Sequence, residues 1–176
     1  MDGDIATPNV VALKAAIDAY KEEGSKATPE IFEVRTALSA GMKSQAIVRS
    51  FSFAMDEPKK LGGRDRGPQP AEVVLAALGA CMEILYSLYA SLQGISLEDV
   101  SIVLHGHHDA RAMLNLTDGS PGLDDVRFDT VIRSTASEED IRKLRDLVEH
   151  RSPILDTLRR PVSVTGTLSL NGQPLV

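Results

Sequence analysis

Cys81 is the side chain with the clearest chemical potential, because it is the only cysteine in a chain of 176 residues. A thiol attacks as its thiolate, which forms readily only near a positive charge or a helix N-terminus. Cys81 lies within an apolar run over residues 73–82, and such surroundings disfavour the charged form. An activating charge must therefore come from another element, for which Arg35, Lys43 and Arg49 are the candidates. A cysteine that only packs in the core is the alternative interpretation.

A second group of residues could bind a metal ion. His105, His107 and Asp109 fall on one face of a predicted strand, and two imidazoles with a carboxylate suit zinc. No fourth ligand is near them in the sequence, so solvated side chains at a strand end are the simpler interpretation, and we expect no metal. The glycine-rich residues 62–67 lack the Gly-Lys-Ser/Thr ending of a phosphate-binding loop, so we expect no nucleotide and no other cofactor.

Hydrophobic periodicity places these residues on an α+β framework. Strands are predicted over residues 31–38, 43–54, 97–107, 125–133 and 162–170, and helices over residues 8–23, 70–92, 137–150 and 153–158. Ser137 and Ser152 are suited to cap the last two helices, and Gly94 to end the long one. The order of the elements predicts an antiparallel sheet with helices packed against it.

The long helix predicts an assembly of two chains. Residues 73–82 lack the polar positions of a surface helix, so this part should be buried on all sides. The run is too short to span a bilayer, which takes about 20 residues. One chain has little left to cover the side of the helix that faces away from its own sheet. We therefore expect a homodimer in which two such helices meet.

Composition narrows the class of protein. The length fits a single domain, and 43% hydrophobic residues can form a sizeable core. A net charge of -6 argues against a nucleic-acid partner, since phosphate binding needs a basic surface. The acidic residues 1–4 are followed by no apolar stretch of the kind found in signal peptides. With a single cysteine as well, we expect a cytoplasmic protein without a membrane partner.

Two motifs resemble those of the OsmC/Ohr family. The first covers residues 61–81 (LGGRDRGPQPAEVVLAALGAC) and the second residues 152–158 (SPILDTL). The similarity extends over about residues 31–170, which divides the chain into an N-terminal helical extension (1–30) and an OsmC-like domain (31–176). The resemblance implies an OsmC/Ohr-like fold, an intertwined α+β homodimer with antiparallel sheets packed on two buried central helices. It also implies a thiol peroxidase that reduces organic hydroperoxides at the dimer interface.

The family's catalytic residues carry over only in part. Cys81 matches the peroxidatic cysteine, whereas Ser152 stands at the position of the resolving cysteine. The family's glutamate directly follows the proline that begins the helix, but here Glu72 comes one residue later, about 100° further around the helix. The family's arginine lies in or near the first hairpin, where this chain offers Lys43 and, on the adjoining strand, Arg35.

The resemblance and the residues together predict two alternative functions. The first is a one-cysteine peroxidase for organic hydroperoxides, with Cys81 as nucleophile and Glu72, Arg35 and Lys43 as supporting groups. Because the chain has no second thiol, an external thiol would have to reduce the oxidised cysteine. The second is a catalytically degenerate protein of the same fold that binds a small apolar ligand, in which Cys81 only packs.

Overall fold

The computed structural model describes residues 10–24 and 29–175 and contains helices and antiparallel sheets, as predicted. The helices are α1 (Val10–Glu23), α2 (Pro70–Gln93), α3 (Ala110–Met113), α4 (Glu138–Arg151) and α5 (Pro153–Arg159). The strands are β1 (Arg35–Ala40), β2 (Lys43–Val48), β3 (Phe51–Met55), β4 (Asp99–His107), β5 (Asp125–Arg133), β6 (Leu168–Leu170) and β7 (Gln173–Leu175). They form three antiparallel sheets, in the orders β1-β2-β3, β4-β5 and β6-β7.

The core is built around α2, which packs on β4, α4 and α5. Leu78, Met82 and Tyr86 follow one another at four-residue spacing on α2 and are completely buried. They meet Leu144 and Val148 of α4 in one hydrophobic cluster. On β4 and β5 the half-buried residues alternate with exposed ones, so one face of this sheet covers α2 and the other faces outward.

The ends of α2 follow from its sequence. Gln69 and Glu72 form a capping box at the start, with Pro70 in the first turn. Gly94 ends the helix in a left-handed conformation, with φ 70°. The predicted helix over residues 70–92 is therefore confirmed.

The opposite face of α2 is not covered in the single chain. Ala77, Ala80 and Ile84 are exposed on it, and Ile84 retains 64% of its accessible surface. In one chain, α2 is covered only on the side of β4, α4 and α5, so its burial on all sides depends on the expected second chain. By length and composition alone, α2 could also cross a membrane, as could many central helices of folded proteins.

The N-terminal strands differ from the prediction. The expected strand over residues 43–54 is two strands, β2 and β3, because Arg49 adopts φ 55° and turns the chain back on itself. The result is a three-stranded meander, β1-β2-β3, whose main contacts are among its own strands. Large apolar side chains remain exposed on it, including Leu38, Phe51 and Phe53. This meander does not add to the sheet that covers α2 in the same chain.

Elsewhere the predicted elements are confirmed with shifted ends. The last expected strand, over residues 162–170, is reduced to β6, and Asn171 and Gly172 turn the chain into β7 with positive φ at both positions. The short helix α3 was not predicted. The predicted helix over residues 8–23 corresponds to α1, but residues 8 and 9 lie outside the described part of the chain.

Candidate active site

Cys81 and Ser152 form the centre of the candidate site. Cys81 is half-buried on α2, and its Sγ lies 3.4 Å from Oγ of Ser152, where α5 packs against α2. This distance is within hydrogen-bonding range for sulfur, and either atom can be the donor. The fold thus brings together the only thiol and a hydroxyl that lies 71 residues further along the chain.

Ser152 is held in place by the junction of two helices. It is completely buried between α4 and α5, and its Oγ accepts a hydrogen bond of 3.3 Å from the backbone N–H of Leu155. Pro153 occupies the first turn of α5, where a missing N–H costs nothing. The predicted N-cap role of Ser152 is confirmed, and the same oxygen also contacts the thiol.

Glu72 has a structural role at the start of α2. Its carboxylate accepts a hydrogen bond of 2.8 Å from the backbone N–H of Gln69, which closes the capping box. Glu72 precedes Cys81 by nine residues, or about 13 Å along the helix axis and half a turn around it. Within one chain, Glu72 therefore lies away from the thiol.

The three predicted basic residues lie in the meander, away from the thiol within the single chain, and the third of them, Arg49, lies over the Phe51 ring at 5.3 Å from its centroid. Arg35 is exposed on β1 and forms an ion pair of 2.8 Å with Glu33. Lys43 begins β2, and its backbone carbonyl accepts a hydrogen bond from Ser39. Both belong to the meander, which makes its main contacts within itself. An activating cation from these strands would have to come to Cys81 from another copy of the chain.

Asp56 is an organising residue that the sequence analysis missed. It retains only 2% of its accessible surface, and its carboxylate accepts hydrogen bonds from the backbone N–H groups of Glu57, Arg64 and Arg66, at 2.9, 3.2 and 3.2 Å. These bonds fold the glycine-rich loop that leads into α2. An acidic residue at the end of a strand, just before a glycine-rich loop, was the available signal.

Two glycines of this loop, Gly63 and Gly67, are required by close packing against the backbone. A Cβ atom added to Gly63 would lie 1.7 Å from the carbonyl oxygen of Glu57, and one added to Gly67 would lie 2.4 Å from that of Ala54. No side chain fits in such spaces. The loop therefore fixes the path from β3 into the helix that carries Cys81.

The histidine cluster does not form a metal site in the described residues. His107 pairs with Asp125 across the β4–β5 ladder at 2.9 Å, and this hydrogen bond lowers the pKa of Asp125. Asp109 caps α3 and binds the Arg111 guanidinium, which lowers the pKa of Asp109. His105 lies opposite Arg127. The carboxylates of Asp125 and Asp109 thus bind different neighbours, His107 and Arg111, and do not converge on one point.

An apolar cavity of about 280 Å³ is lined by Leu78 and Leu155, which are neighbours of Cys81 and Ser152, although neither Cys81 nor Ser152 itself lines it. Leu78, one helical turn before Cys81, and Leu155, whose N–H binds Ser152, both contribute to its wall. The rest of the lining is apolar at Leu123, Val126, Phe128 and Leu158 and polar at Asp124, Asp125 and Arg159. The cavity has room for a small apolar group next to Leu78 and Leu155.

Comparison with solved structures identifies the fold. The fold is that of an OsmC-like protein from Mycoplasma pneumoniae, with a TM-score of 0.65 and 26% identity over 75% of this chain and 89% of that chain. A Legionella pneumophila structure described as an organic hydroperoxide resistance protein OsmC has the same fold, with a TM-score of 0.58 and 19% identity over 76% of this chain and 92% of that one.

Sequence comparison then identifies the family. Residues 62–166 match the family model described as OsmC-like protein, so the chain belongs to the OsmC-like family. A relative named hydroperoxide reductase, from Mycoplasma genitalium, is 27% identical over 128 residues, which are 72% of this chain and 86% of the relative. The resemblance inferred from residues 61–81 and 152–158 is confirmed.

Proposed function

We propose that this protein is a one-cysteine organic hydroperoxide reductase with Cys81 as its nucleophile. The observation that carries the proposal is the contact of 3.4 Å between Cys81 Sγ and Ser152 Oγ, because it places a polar hydrogen-bonding group against a thiol in otherwise apolar surroundings. A purely structural cysteine needs no such partner. The relative named hydroperoxide reductase supports the same activity.

The reaction begins when the Cys81 thiolate attacks the terminal oxygen of a hydroperoxide. The O–O bond breaks, the sulfur becomes a sulfenic acid, and the alkoxide leaves and takes up a proton to give the alcohol. The cavity beside Leu78 and Leu155 accepts the apolar part of the substrate, which favours organic hydroperoxides over hydrogen peroxide.

An external thiol completes the cycle. It attacks the sulfenic acid to give a mixed disulfide and water, and a second external thiol then releases Cys81 and forms a disulfide with the first. Ser152 cannot take over this step, since an oxygen in its place forms no disulfide. The reductant is therefore a separate thiol compound or thiol protein.

A homodimer is part of the proposal. The exposed face of α2 around Ala80 and Ile84, and the exposed apolar residues of the meander, are two surfaces that a second copy would cover. In such a dimer, Lys43 or Arg35 of one chain can reach the Cys81 of the other. This arrangement would supply the positive charge that the single chain does not bring to the thiol.

A second candidate function is the binding of a small apolar ligand without catalysis. It is favoured by one specific observation: the described part of one chain places neither Glu72, Arg35 nor Lys43 next to Cys81. In that case, the 280 Å³ cavity would be the ligand site, and Cys81 would pack against Ser152.

The two functions are distinguished by mixing the reduced protein with one equivalent of cumene hydroperoxide and following its intact mass. The peroxidase predicts the gain of one oxygen atom at Cys81 within seconds, more slowly with hydrogen peroxide and not at all in Cys81→Ala. An unchanged mass after an hour would reject the peroxidase. Retained affinity of Cys81→Ala for an apolar ligand would then support the binding protein.

A further inference from the structure

The surroundings of Ser152 determine which atom accepts its hydroxyl hydrogen. A serine hydroxyl has one donor and two acceptor positions. One acceptor position is taken by the Leu155 N–H. Since Ser152 is completely buried, water does not receive its hydrogen. Among the described residues, the one other hydrogen-bond partner of Oγ is the sulfur of Cys81, at 3.4 Å.

The charge state of the sulfur decides the strength of this bond. A neutral thiol is a weak acceptor, whereas hydrogen bonds to a charged acceptor are about twice as strong as neutral ones. The bond from the Leu155 N–H polarises the hydroxyl and makes it a better donor. A hydrogen bond to the charged form of a group favours that form.

We infer that Ser152 is a positioning residue that donates its hydroxyl hydrogen to Cys81 and stabilises the thiolate. The inference rests on the proposed function, in which Cys81 is the nucleophile, and it assigns a role to the residue that replaces the resolving cysteine. The chain has exchanged a second redox centre for a hydrogen-bond donor at the same place. Cys81 is thereby activated from α5, an element that packs on α2 within one chain.

The test is the pH profile of Cys81 alkylation by iodoacetamide in three proteins. Ser152→Ala should raise the midpoint of the profile by about one pH unit, which corresponds to an alkylation rate about tenfold lower at pH 7 and rates that converge in alkali. Ser137→Ala is the matched control. Ser137 also caps a helix, through the N–H of Asp140, but it lies at the start of α4, whereas Cys81 contacts Ser152 at the end of α4. The midpoint of Ser137→Ala should equal that of the original protein.

A structural role for Ser152 would give a different result. Loss of an N-cap alone lowers the thermal stability of both variants and leaves both midpoints unchanged, which would overturn the inference. If Ser152→Ala does not fold, Ser152→Gly takes its place, because glycine also lacks the hydroxyl and is tolerated at an N-cap. The inference requires the same upward shift of the midpoint in Ser152→Gly, and an unchanged midpoint would overturn it.

Failure of the proposed function gives a separate signature. If Ser152→Ala shifts the alkylation midpoint but cumene hydroperoxide does not oxidise the original protein, then Ser152 activates the thiol and the peroxidase is wrong. If the peroxide oxidises Cys81 at equal rates in both proteins and the midpoints coincide, the peroxidase stands and the role of Ser152 is wrong.

Discussion

The Sγ atom of Cys81 and the Oγ atom of Ser152 lie 3.4 Å apart, and this contact joins the two sequence motifs of the OsmC-like family. It lies where α5 packs against the central helix α2. The resemblance implies a resolving cysteine at this position, and the chain has a serine oxygen there instead. Under the proposed function, another molecule would therefore have to complete the redox cycle.

Restoring the second sulfur should restore an internal redox cycle. The variant Ser152→Cys places a thiol next to Cys81, and the 3.4 Å separation leaves only a small movement to a disulfide bond of about 2.05 Å. After one equivalent of cumene hydroperoxide, we expect the variant to lose two hydrogen atoms, whereas the original protein gains one oxygen atom. Intact mass spectrometry distinguishes these products.

The control for this variant is Ser137→Cys, which adds a thiol at the exposed start of α4. It should gain oxygen at Cys81 without forming an internal disulfide. If Ser152→Cys also stops at the sulfenic acid, with free thiol still present at position 152, the two side chains do not approach each other in solution as they do in the structure.

Much of the fold could be predicted from the sequence, because its long elements have strong local signals. Pro70 and Gly94 bound α2, and Ser137 begins α4 with acidic residues in its first turn. Alternation over residues 125–133 gave β5 with its observed ends. The turn at Arg49 was missed, since a positive φ at a non-glycine residue has little local signal.

The candidate site was predictable only in part, because its partners come from distant segments. The motif resemblance identified both Cys81 and Ser152, but only the packing of α5 on α2 shows that they touch. Asp56 was missed because its three hydrogen bonds go to backbone groups, so its position just before the glycine-rich loop was the one signal of its role. Glu72 was assigned a role in the site, whereas in one chain it forms a capping box with Gln69, three residues before it in the sequence.

The Asp56 carboxylate should be essential for the loop that leads into α2. Asp56→Asn replaces one carboxylate oxygen with an NH₂ group that faces backbone donors, so we expect the free energy of unfolding to fall by about 2–3 kcal/mol. Asp65→Asn is the matched control, since Asp65 is exposed in the same loop and its left-handed conformation suits asparagine. Urea denaturation of both variants checks this, and equal stability of the two would contradict it.

Tyr86 should lower stability in alkali. Its hydroxyl is buried and makes no hydrogen bond in the described structure. Burial raises the pKa of Tyr86 above 10.0, and this effect outweighs that of nearby Thr130, which lowers the pKa. The unfolded chain therefore loses this proton first as the pH rises, and the folded protein becomes less stable above about pH 10. At neutral pH, Tyr86→Phe should change stability by less than about 1 kcal/mol.

The stability of Tyr86→Phe relative to the original protein should therefore increase with pH. Urea unfolding midpoints measured at about pH 8 and about pH 10.5 should show a larger advantage, or a smaller deficit, of the variant at the higher pH. Tyr89→Phe, a half-buried tyrosine on the same helix, controls for the loss of a hydroxyl. A difference for Tyr86→Phe that is constant with pH would mean that its hydroxyl ionises equally in the folded and unfolded chains.

The exposed face of α2 should be the place where two chains meet. Ile84 retains 64% of its surface in one chain although it lies on the most apolar helix, and a carboxylate there could not be buried against a second helix. We expect Ile84→Asp to be a monomer by light scattering, while the original protein has twice the mass of one chain. Val103→Asp is the control, because Val103 is similarly exposed on the face of β4 that points away from α2. A dimer that survives Ile84→Asp but not Val103→Asp would place the interface on the outer face of the β4–β5 sheet. In that case, Lys43 and Arg35 of the meander would no longer be candidates to approach the thiol of a partner chain across α2.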